Sequence, residues 1–332
     1  MRLDPIPQVS FHPANFTRLD WVNGSAFFAG GRALGVQIRS DNIWNRASTF
    51  TNQGDRVARY GADAELEEAR FAYRWSPAPS WQVAVEGAVG IWCGGWMDGP
   101  IEAFHLATSN RDHARPETPR NLVAIDSGAW KTTNLRMDLA PVVFRPQWTF
   151  FESTRHAFAL RADFLLPLGE WCRGRPGAPG FGGGLRYSGK WKRWQWDGGA
   201  GFALQDADAT APENLSQNLA RGFLDAAISV SFRSGLTFVY GLRYASPLYG
   251  GNWYLVPKVP PSATMNEFIS SGYNALFTPA REITMALRYD RPSFTAAITL
   301  VEDLWPASTP DWTDTVNNAP DLGLGLYLAW RL

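Results

Sequence analysis

The sequence has no long hydrophobic run, little charge and little cysteine. No segment of its 332 residues comes near 18 consecutive apolar residues, so transmembrane helices are excluded. Charged residues make up 19% of the chain, below the roughly 25% of an ordinary soluble domain, and the net formal charge is zero. A neutral chain lacks the basic surface that nucleic acid requires, so we expect no nucleic-acid partner. The two cysteines, Cys93 and Cys172, match no metal-site spacing, and we expect no metal and no cofactor.

Aromatic residues are abundant, with 16 Trp, 20 Phe and 10 Tyr. The mean hydropathy is nevertheless only −0.22. Moderate hydropathy with many aromatics is typical of a transmembrane β-barrel, whose strands are half polar and whose rims carry aromatic girdles. No apolar leader is visible after Met1, and we take the chain to be a mature, exported form.

The last eleven residues alternate with a period of two. Leu322, Leu324, Leu326, Leu328, Trp330 and Leu332 share one face, and small or polar residues occupy the other. This pattern predicts a strand with a lipid-facing side, placed where a barrel closes on its first strand. The stretch 325–330 also resembles the C-terminal insertion signal of bacterial outer-membrane proteins.

Similar alternation recurs along the chain and predicts an all-β, antiparallel up-and-down transmembrane barrel of about twelve strands, within a range of 10–14. The predicted strands lie near 32–45, 62–75, 80–93, 133–147, 155–166, 180–188, 192–205, 224–232, 236–244, 282–289, 292–304 and 322–332.

Short and long connections alternate between these strands. Short turns are predicted near 76–79, 148–154, 189–191, 234–235 and 290–292, and long connections near 46–61, 94–132, 167–179, 206–221, 248–279 and 305–319. An outer-membrane barrel has short periplasmic turns and long extracellular loops, so we expect both termini in the periplasm. Residues 1–30 are expected to form a periplasmic or lumen segment, and residues 31–332 the barrel.

The expected inward positions are rich in charge. Charges there avoid lipid, where Arg or Lys at the midplane costs about 2–4 kcal/mol. They either line a solute pathway or form a polar lumen that satisfies itself, and near-balanced signs predict weak selectivity. The candidate lumen-lining residues are Arg39, Asp41, Glu68, Arg70, Arg74, Glu86, Arg136, Asp138, Arg161, Asp163, Arg186, Asp197, Asp225, Arg243, Glu282 and Arg288.

The connection 94–132 is the most unusual. Pro100 can start a short helix capped by Asp98, which places Glu102 and His105 one turn apart. Such a pair could bind a metal or act as base and acid, but a capping Asp98 and a packed His105 are the commoner outcome, so we predict no catalytic residue. Folded inwards, the connection would constrict the lumen; folded outwards, it would form a surface or lid.

The motif Asp98-Gly99-x-Ile101-Glu102-x-x-His105, followed by Arg111 and 119–121, resembles an uncharacterised family of Gram-negative outer-membrane barrels known only as a domain of unknown function. The resemblance spans most of the chain and implies the fold and the location, but no activity. The chain departs from the family pattern at Ala64-Glu65, which weakens any role for Glu65.

Cys93 and Cys172 fall at strand ends or in the adjoining connections. Because an exported protein meets an oxidising periplasm, we expect a disulfide between them, with two free thiols as the alternative. The bond would require Cα atoms roughly 4.4–6.8 Å apart.

The leading hypothesis is a non-enzymatic channel for small hydrophilic solutes in the bacterial outer membrane. Twelve strands lie between barrels filled by side chains and barrels with open pores. The alternatives are a structural or anchoring barrel of an envelope complex and, more remotely, a phospholipase-like hydrolase. Expected partners are outer-membrane lipid, a small hydrophilic solute, and the barrel-assembly machinery during insertion.

Overall fold

Alternation of apolar with small or polar residues produces long antiparallel strands in the computed structural model. Twelve of them form a closed barrel. In chain order they are β1 (Arg32–Phe50), β2 (Arg56–Ala78), β3 (Trp81–Cys93), β4 (Val142–Glu152), β5 (His156–Leu166), β6 (Gly180–Trp191), β7 (Trp194–Gln205), β8 (Ala220–Ser231), β9 (Leu236–Ala245), β10 (Ala280–Asp290), β11 (Phe294–Asp303) and β12 (Leu322–Arg331).

The structure describes a large part of the chain. The described residues are 24–27, 30–50, 56–100, 103, 123–126, 131–132, 135–167, 170–171, 175–176, 178–206, 216–232, 235–247, 249–250, 279–303 and 322–332. Short strands accompany the barrel at Ala124–Asp126, Lys131–Thr132, Arg136–Leu139, Glu170–Trp171, Arg175–Pro176, Ser216–Gln217 and Tyr249–Gly250.

Each barrel strand pairs with its sequence neighbours, and β1 pairs with β12 to close the ring. Ala33 lies opposite Arg331, and Asn42 lies opposite Leu322. No sheet edge remains in such a ring, so every strand satisfies its backbone within the wall. The predicted twelve-stranded antiparallel barrel, with its last strand closing on its first, is confirmed.

The two faces of the wall differ sharply. Ile298 and Ile38 point outwards and are 65% and 53% exposed, whereas their inward neighbours Thr299 and Arg39 are each 2% exposed. The outward residues of the other strands are likewise large and apolar. Such an exterior suits lipid, and the polar side chains lie within the barrel.

All five short turns lie at one end of the barrel. Two of them are two-residue turns in which Ser80 and Lys192 take positive φ values of 66° and 54°, as tight hairpin turns require. At the same end β1 begins and β12 ends, and the Leu332 N–H donates to the Arg32 carbonyl at 3.0 Å. We call this the short-turn end and the opposite one the long-loop end.

Two predicted boundaries were wrong. The connection predicted at 46–61 is largely strand, because β1 and β2 continue to Phe50 and from Arg56 as one hairpin. At the long-loop end its sheet is widened by Ala124–Asp126, which pairs with β2. An extension beyond the lipid needs no apolar face, so period-two hydrophobicity does not reveal it.

The predicted strand 133–147 is displaced. Arg136–Leu139 and β4 both pair with β3, and the chain is interrupted between them at Pro141, which lacks a backbone donor. The β4 strand then continues to Glu152 through most of the predicted turn at 148–154.

Candidate functional site

Twelve charged side chains from nine strands point into the barrel; we call them the charge belt. Six are arginines and six are carboxylates, so their formal charges cancel. The members are Arg39, Asp41, Glu68, Arg70, Glu86, Arg145, Arg161, Asp163, Arg186, Asp225, Arg243 and Glu282.

On strands β1 to β3 the belt runs from one ion pair to the next. Arg39 Nε donates to Asp41 Oδ1 at 2.6 Å. On β2, Arg70 Nε pairs with Glu68 at 2.9 Å, and its Nη1 lies 3.8 Å from Glu86 of β3. Arginine and carboxylate alternate along this wall, so each charge has a neighbour of opposite sign.

Strands β4 and β5 continue the chain of pairs. Arg145 Nε lies 3.2 Å from Glu86, and its Nη1 lies 2.9 Å from Asp163. Asp163 also accepts from Arg161 Nη2 at 3.0 Å. A single carboxylate therefore holds two guanidinium groups.

A glycine lets the belt cross β7. Gly199 lies opposite both Arg186 of β6 and Asp225 of β8. Because no side chain intervenes, Arg186 Nη2 reaches Asp225 Oδ2 at 2.9 Å. Arg243 of β9 then donates to Glu282 of β10 at 2.7 Å.

The glycines of β12 make room for the last members. An added Cβ at Gly323 would lie 2.1 Å from Asp41 Oδ1 and 3.0 Å from Arg39 Nη2. The Arg39–Asp41 pair fills the space that these small residues leave in the lumen.

Belt carboxylates retain hydrogen-bonding capacity. Asp41 Oδ2, Glu68 Oε2 and Glu282 Oε1 are buried and accept no hydrogen bond from the described part of the chain. Buried polar oxygens normally bind protein donors or water. A buried ion pair is also seldom more stabilising than apolar packing of similar volume. The belt therefore gives the barrel no more stability than an apolar interior of similar volume would.

Most of the predicted lumen residues belong to the belt or lie beside it. Asp138 accepts from Trp92 Nε1 at 3.1 Å near the long-loop end, and Arg288 pairs with Asp290 at 2.9 Å near the short-turn end. Asp197 accepts from Gln195, and Arg74 lines a cavity of about 60 Å³ at the short-turn end. The remaining candidate, Arg136, lies opposite Trp92 in the strand ladder, and its side chain is outside the described residues.

Sequence reasoning missed Arg145, which links three strands of the belt. Its signal is present, because Val143, Arg145, Gln147 and Thr149 alternate with apolar outward residues. A single strand 133–147 with Arg136 and Asp138 inward makes odd-numbered residues point outwards, but the interruption at Pro141 reverses this phase in β4.

Residues 94–98 lie against the outer face of the barrel near its long-loop end; we call them the outer clasp. Met97 is fully buried and packs on Leu322, Leu324 and Leu300, which are outward residues of β12 and β11. Asp98 accepts from Asn42 Nδ2 at 3.1 Å, and residues 98–100 are helical. This part of the connection is thus external, while Glu102, His105 and Arg111 lie outside the described residues.

Glu65 anchors the outer clasp, contrary to the expectation that its role is weak. Its carboxylate accepts the backbone N–H groups of Trp96 and Met97 at 2.7 and 2.5 Å. Gly95 has a φ of +51°, and a Cβ there would lie 1.6 Å from Glu65 Oε2. The position therefore requires glycine.

The predicted disulfide is not formed in this structure. Cys93 is a free, half-buried thiol at the end of β3, and Cys172 lies outside the described residues.

Within the described residues, no group of three or more metal-ligating side chains is present, and no helix is long and apolar enough to cross a membrane.

A closed, lipid-facing barrel of twelve strands with a charged lumen defines the class of this protein as a transmembrane β-barrel. It is similar in fold to the COG4313 outer membrane channel of Pseudomonas putida F1, with a TM-score of 0.51, 10% identity, and coverage of 92% of this chain and 97% of that one. At this identity the likeness shows the fold.

Two porins align over a similar length. NanC gives a TM-score of 0.47 at 10% identity, covering 90% of this chain and 100% of that one. KdgM, in complex with oligogalacturonate, gives 0.43 at 6% identity, covering 90% and 99%. No protein-family model and no curated protein matches the sequence, so membership of the uncharacterised barrel family stays a prediction.

Proposed function

We propose that this protein is a channel for small hydrophilic solutes in the outer membrane of a Gram-negative bacterium, with its short-turn end facing the periplasm. The charge belt carries the proposal. A barrel that only had to be stable could pack its interior with apolar side chains at no greater cost. A ring of charge with spare acceptor oxygens instead supplies a polar path across the bilayer.

The belt also predicts the kind of solute. Six arginines and six carboxylates are interspersed around the lumen. Neither sign dominates, so the channel discriminates weakly between cations and anions and favours small polar molecules. The burial of the belt makes the path narrow, because a passing solute must displace or slide between ion-paired side chains.

Reconstitution in planar lipid bilayers tests the proposal. Purified barrel should give discrete, small current steps in potassium chloride, with weak ion selectivity. An equal amount of heat-unfolded protein is the control. The absence of any steps from folded protein, at every voltage and salt concentration, would overturn the channel function.

The burial of the belt favours a second candidate, a structural or anchoring barrel. Arg186 and Asp225 have side-chain exposures of 0% and 1%, as in a sealed interior. Under this alternative the barrel carries no current and co-purifies with a stoichiometric envelope partner. The bilayer experiment therefore separates the two candidates.

We do not propose an enzyme. The exposed His156 has its Nδ1 2.9 Å from the Tyr187 hydroxyl, beside a short turn. A tyrosine partner supplies neither an activated nucleophile nor an orienting carboxylate. Membrane lipid follows as a partner from the apolar exterior, and assembly by the barrel-insertion machinery stays a prediction.

A further inference from the structure

Residues 24–27 lie inside the barrel although they belong to none of its strands; we call them the inner segment. Ser25, Ala26 and Phe27 are all buried. They rest against inward side chains of β4, β5 and β6, on the short-turn side of the charge belt. The lumen therefore already contains a short piece of irregular polypeptide.

Three consecutive carbonyl groups of the inner segment accept hydrogen bonds from the wall. Arg186 Nε donates to the Gly24 carbonyl, and Gln147 Nε2 donates to that of Ser25, both at 2.9 Å. The Thr149 hydroxyl donates to the Ala26 carbonyl, also at 2.9 Å. Because all three contacts are to backbone, they do not depend on the side chains of the segment.

The side chain of Ser188 on the wall accepts a backbone N–H of the inner segment. The Ala26 N–H donates to Ser188 Oγ at 2.7 Å. Ser188 in turn donates its own proton to Asp197, which also accepts from Gln195 Nε2 at 2.9 Å. The proton of Ser188 is thus committed to Asp197, and its lone pairs are left for an amide donor.

Small wall residues leave room for the side chains. Phe27 and Ala26 pack with Ala157 and Ala159 of β5, both of which are fully buried. The Phe27 ring fits because Ala157 and Ala159 project only methyl groups into the lumen. The wall thus combines backbone recognition with one aromatic pocket.

We propose that this wall of β4, β5 and β6 is a binding site for a short peptide, and that the inner segment occupies it in cis. The proposal rests on the channel function proposed above insofar as it names short peptides as its solutes. The segment takes part in no ladder of the barrel, so its release leaves all twelve strands paired.

Release of the segment is tested with Ala26→Glu in the full-length chain. The added carboxylate has no room at this fully buried position, which packs against Ala157 and Ala159. Ser25→Cys, in a background with Cys93→Ser and Cys172→Ser, reports exposure through maleimide labelling. Labelling should be slow in this background and fast once Ala26→Glu is added. Ala78→Glu, at an exposed turn of the same end, is the matched control and should leave labelling slow.

Binding is then measured with the capped peptide acetyl-Gly-Ser-Ala-Phe-amide by calorimetry in detergent. It should bind Ala26→Glu protein at least about tenfold more tightly than wild type or Ala78→Glu, because the native occupant no longer competes. Adding Gln147→Ala and Thr149→Val should abolish binding. Equal affinity for wild type and Ala26→Glu, or binding that survives the wall substitutions, would overturn the proposal. If Ala26→Glu gives no folded barrel, Phe27→Asp takes its place.

Failure of this inference is distinguishable from failure of the channel function. Current steps without peptide binding would refute the peptide site and leave the channel standing. Peptide binding without current would refute the channel and leave a peptide-binding site in a barrel that conducts no solute.

Discussion

The inner segment and the outer clasp are both irregular stretches of chain that lie against the barrel. The inner segment lies on the inner face of β4, β5 and β6, and the outer clasp lies on the outer face of β2, β1, β12 and β11. Inside, Gln147, Thr149 and Arg186 donate to backbone carbonyls. Outside, the single carboxylate of Glu65 accepts two backbone N–H groups, and Met97 is buried on apolar side chains. The lumen wall thus offers three neutral or cationic donors and the Ser188 acceptor, whereas the outer wall offers the Glu65 carboxylate, the Asn42 amide donor and apolar contacts.

This difference predicts different consequences. The outer clasp spans β2, β1, β12 and β11, and so bridges the seam where the first and last strands meet. Disturbing it should lower stability without altering the lumen. Disturbing the lumen wall of β4, β5 and β6 should alter which solutes the lumen binds and passes. Its effect on the free energy of unfolding should be smaller, except at Arg186, which is also a member of the charge belt.

Arg186 belongs to both the belt and the inner wall, so its loss should have the largest effect. Arg186→Met removes the guanidinium that pairs with the buried Asp225 and should lower the free energy of unfolding by about 3–5 kcal/mol, measured by denaturant titration in detergent. The double variant with Asp225→Leu should recover most of this loss. A single variant as stable as wild type would contradict the buried ion pair.

Removal of the clasp anchor should have the next largest effect. Glu65→Ala deprives two buried N–H groups of a charged acceptor and should cost about 2–4 kcal/mol, measured in the same titration. Glu67→Ala, two residues along the same outward face, loses one bond to Ser40 and should cost about 1 kcal/mol. If Glu65→Ala changed ion selectivity but not stability, the contrast between the two faces would be wrong.

A single inner-wall contact should have the smallest effect. Thr149→Val keeps the side-chain volume and removes one hydrogen bond to the Ala26 carbonyl, for about 1 kcal/mol. Labelling of Ser25→Cys in the background without native cysteines should be faster in this variant. Unchanged labelling together with unchanged stability would contradict the bond.

Much of this structure could be predicted from the alternation of residues. The pattern revealed twelve strands and the inward position of fifteen of the sixteen charged candidates, because lipid forces one face of each strand to be apolar. It left open whether residues 1–30 lie in the lumen or in the periplasm, because the residues around the inner segment carry no period. Glu65 was missed because its partners are backbone groups of a distant connection, which a sequence pattern does not show.

Two adjacent residues of β2 allow the most direct test of the central claim that solutes pass through the charge belt. Glu68 faces the lumen and Glu67 faces outwards. Glu68→Gln leaves six arginines against five carboxylates in the belt, so the reversal potential in a potassium chloride gradient should shift towards anion selectivity, whereas Glu67→Gln should keep the wild-type value. Equal reversal potentials for wild type and both variants would contradict passage through the belt.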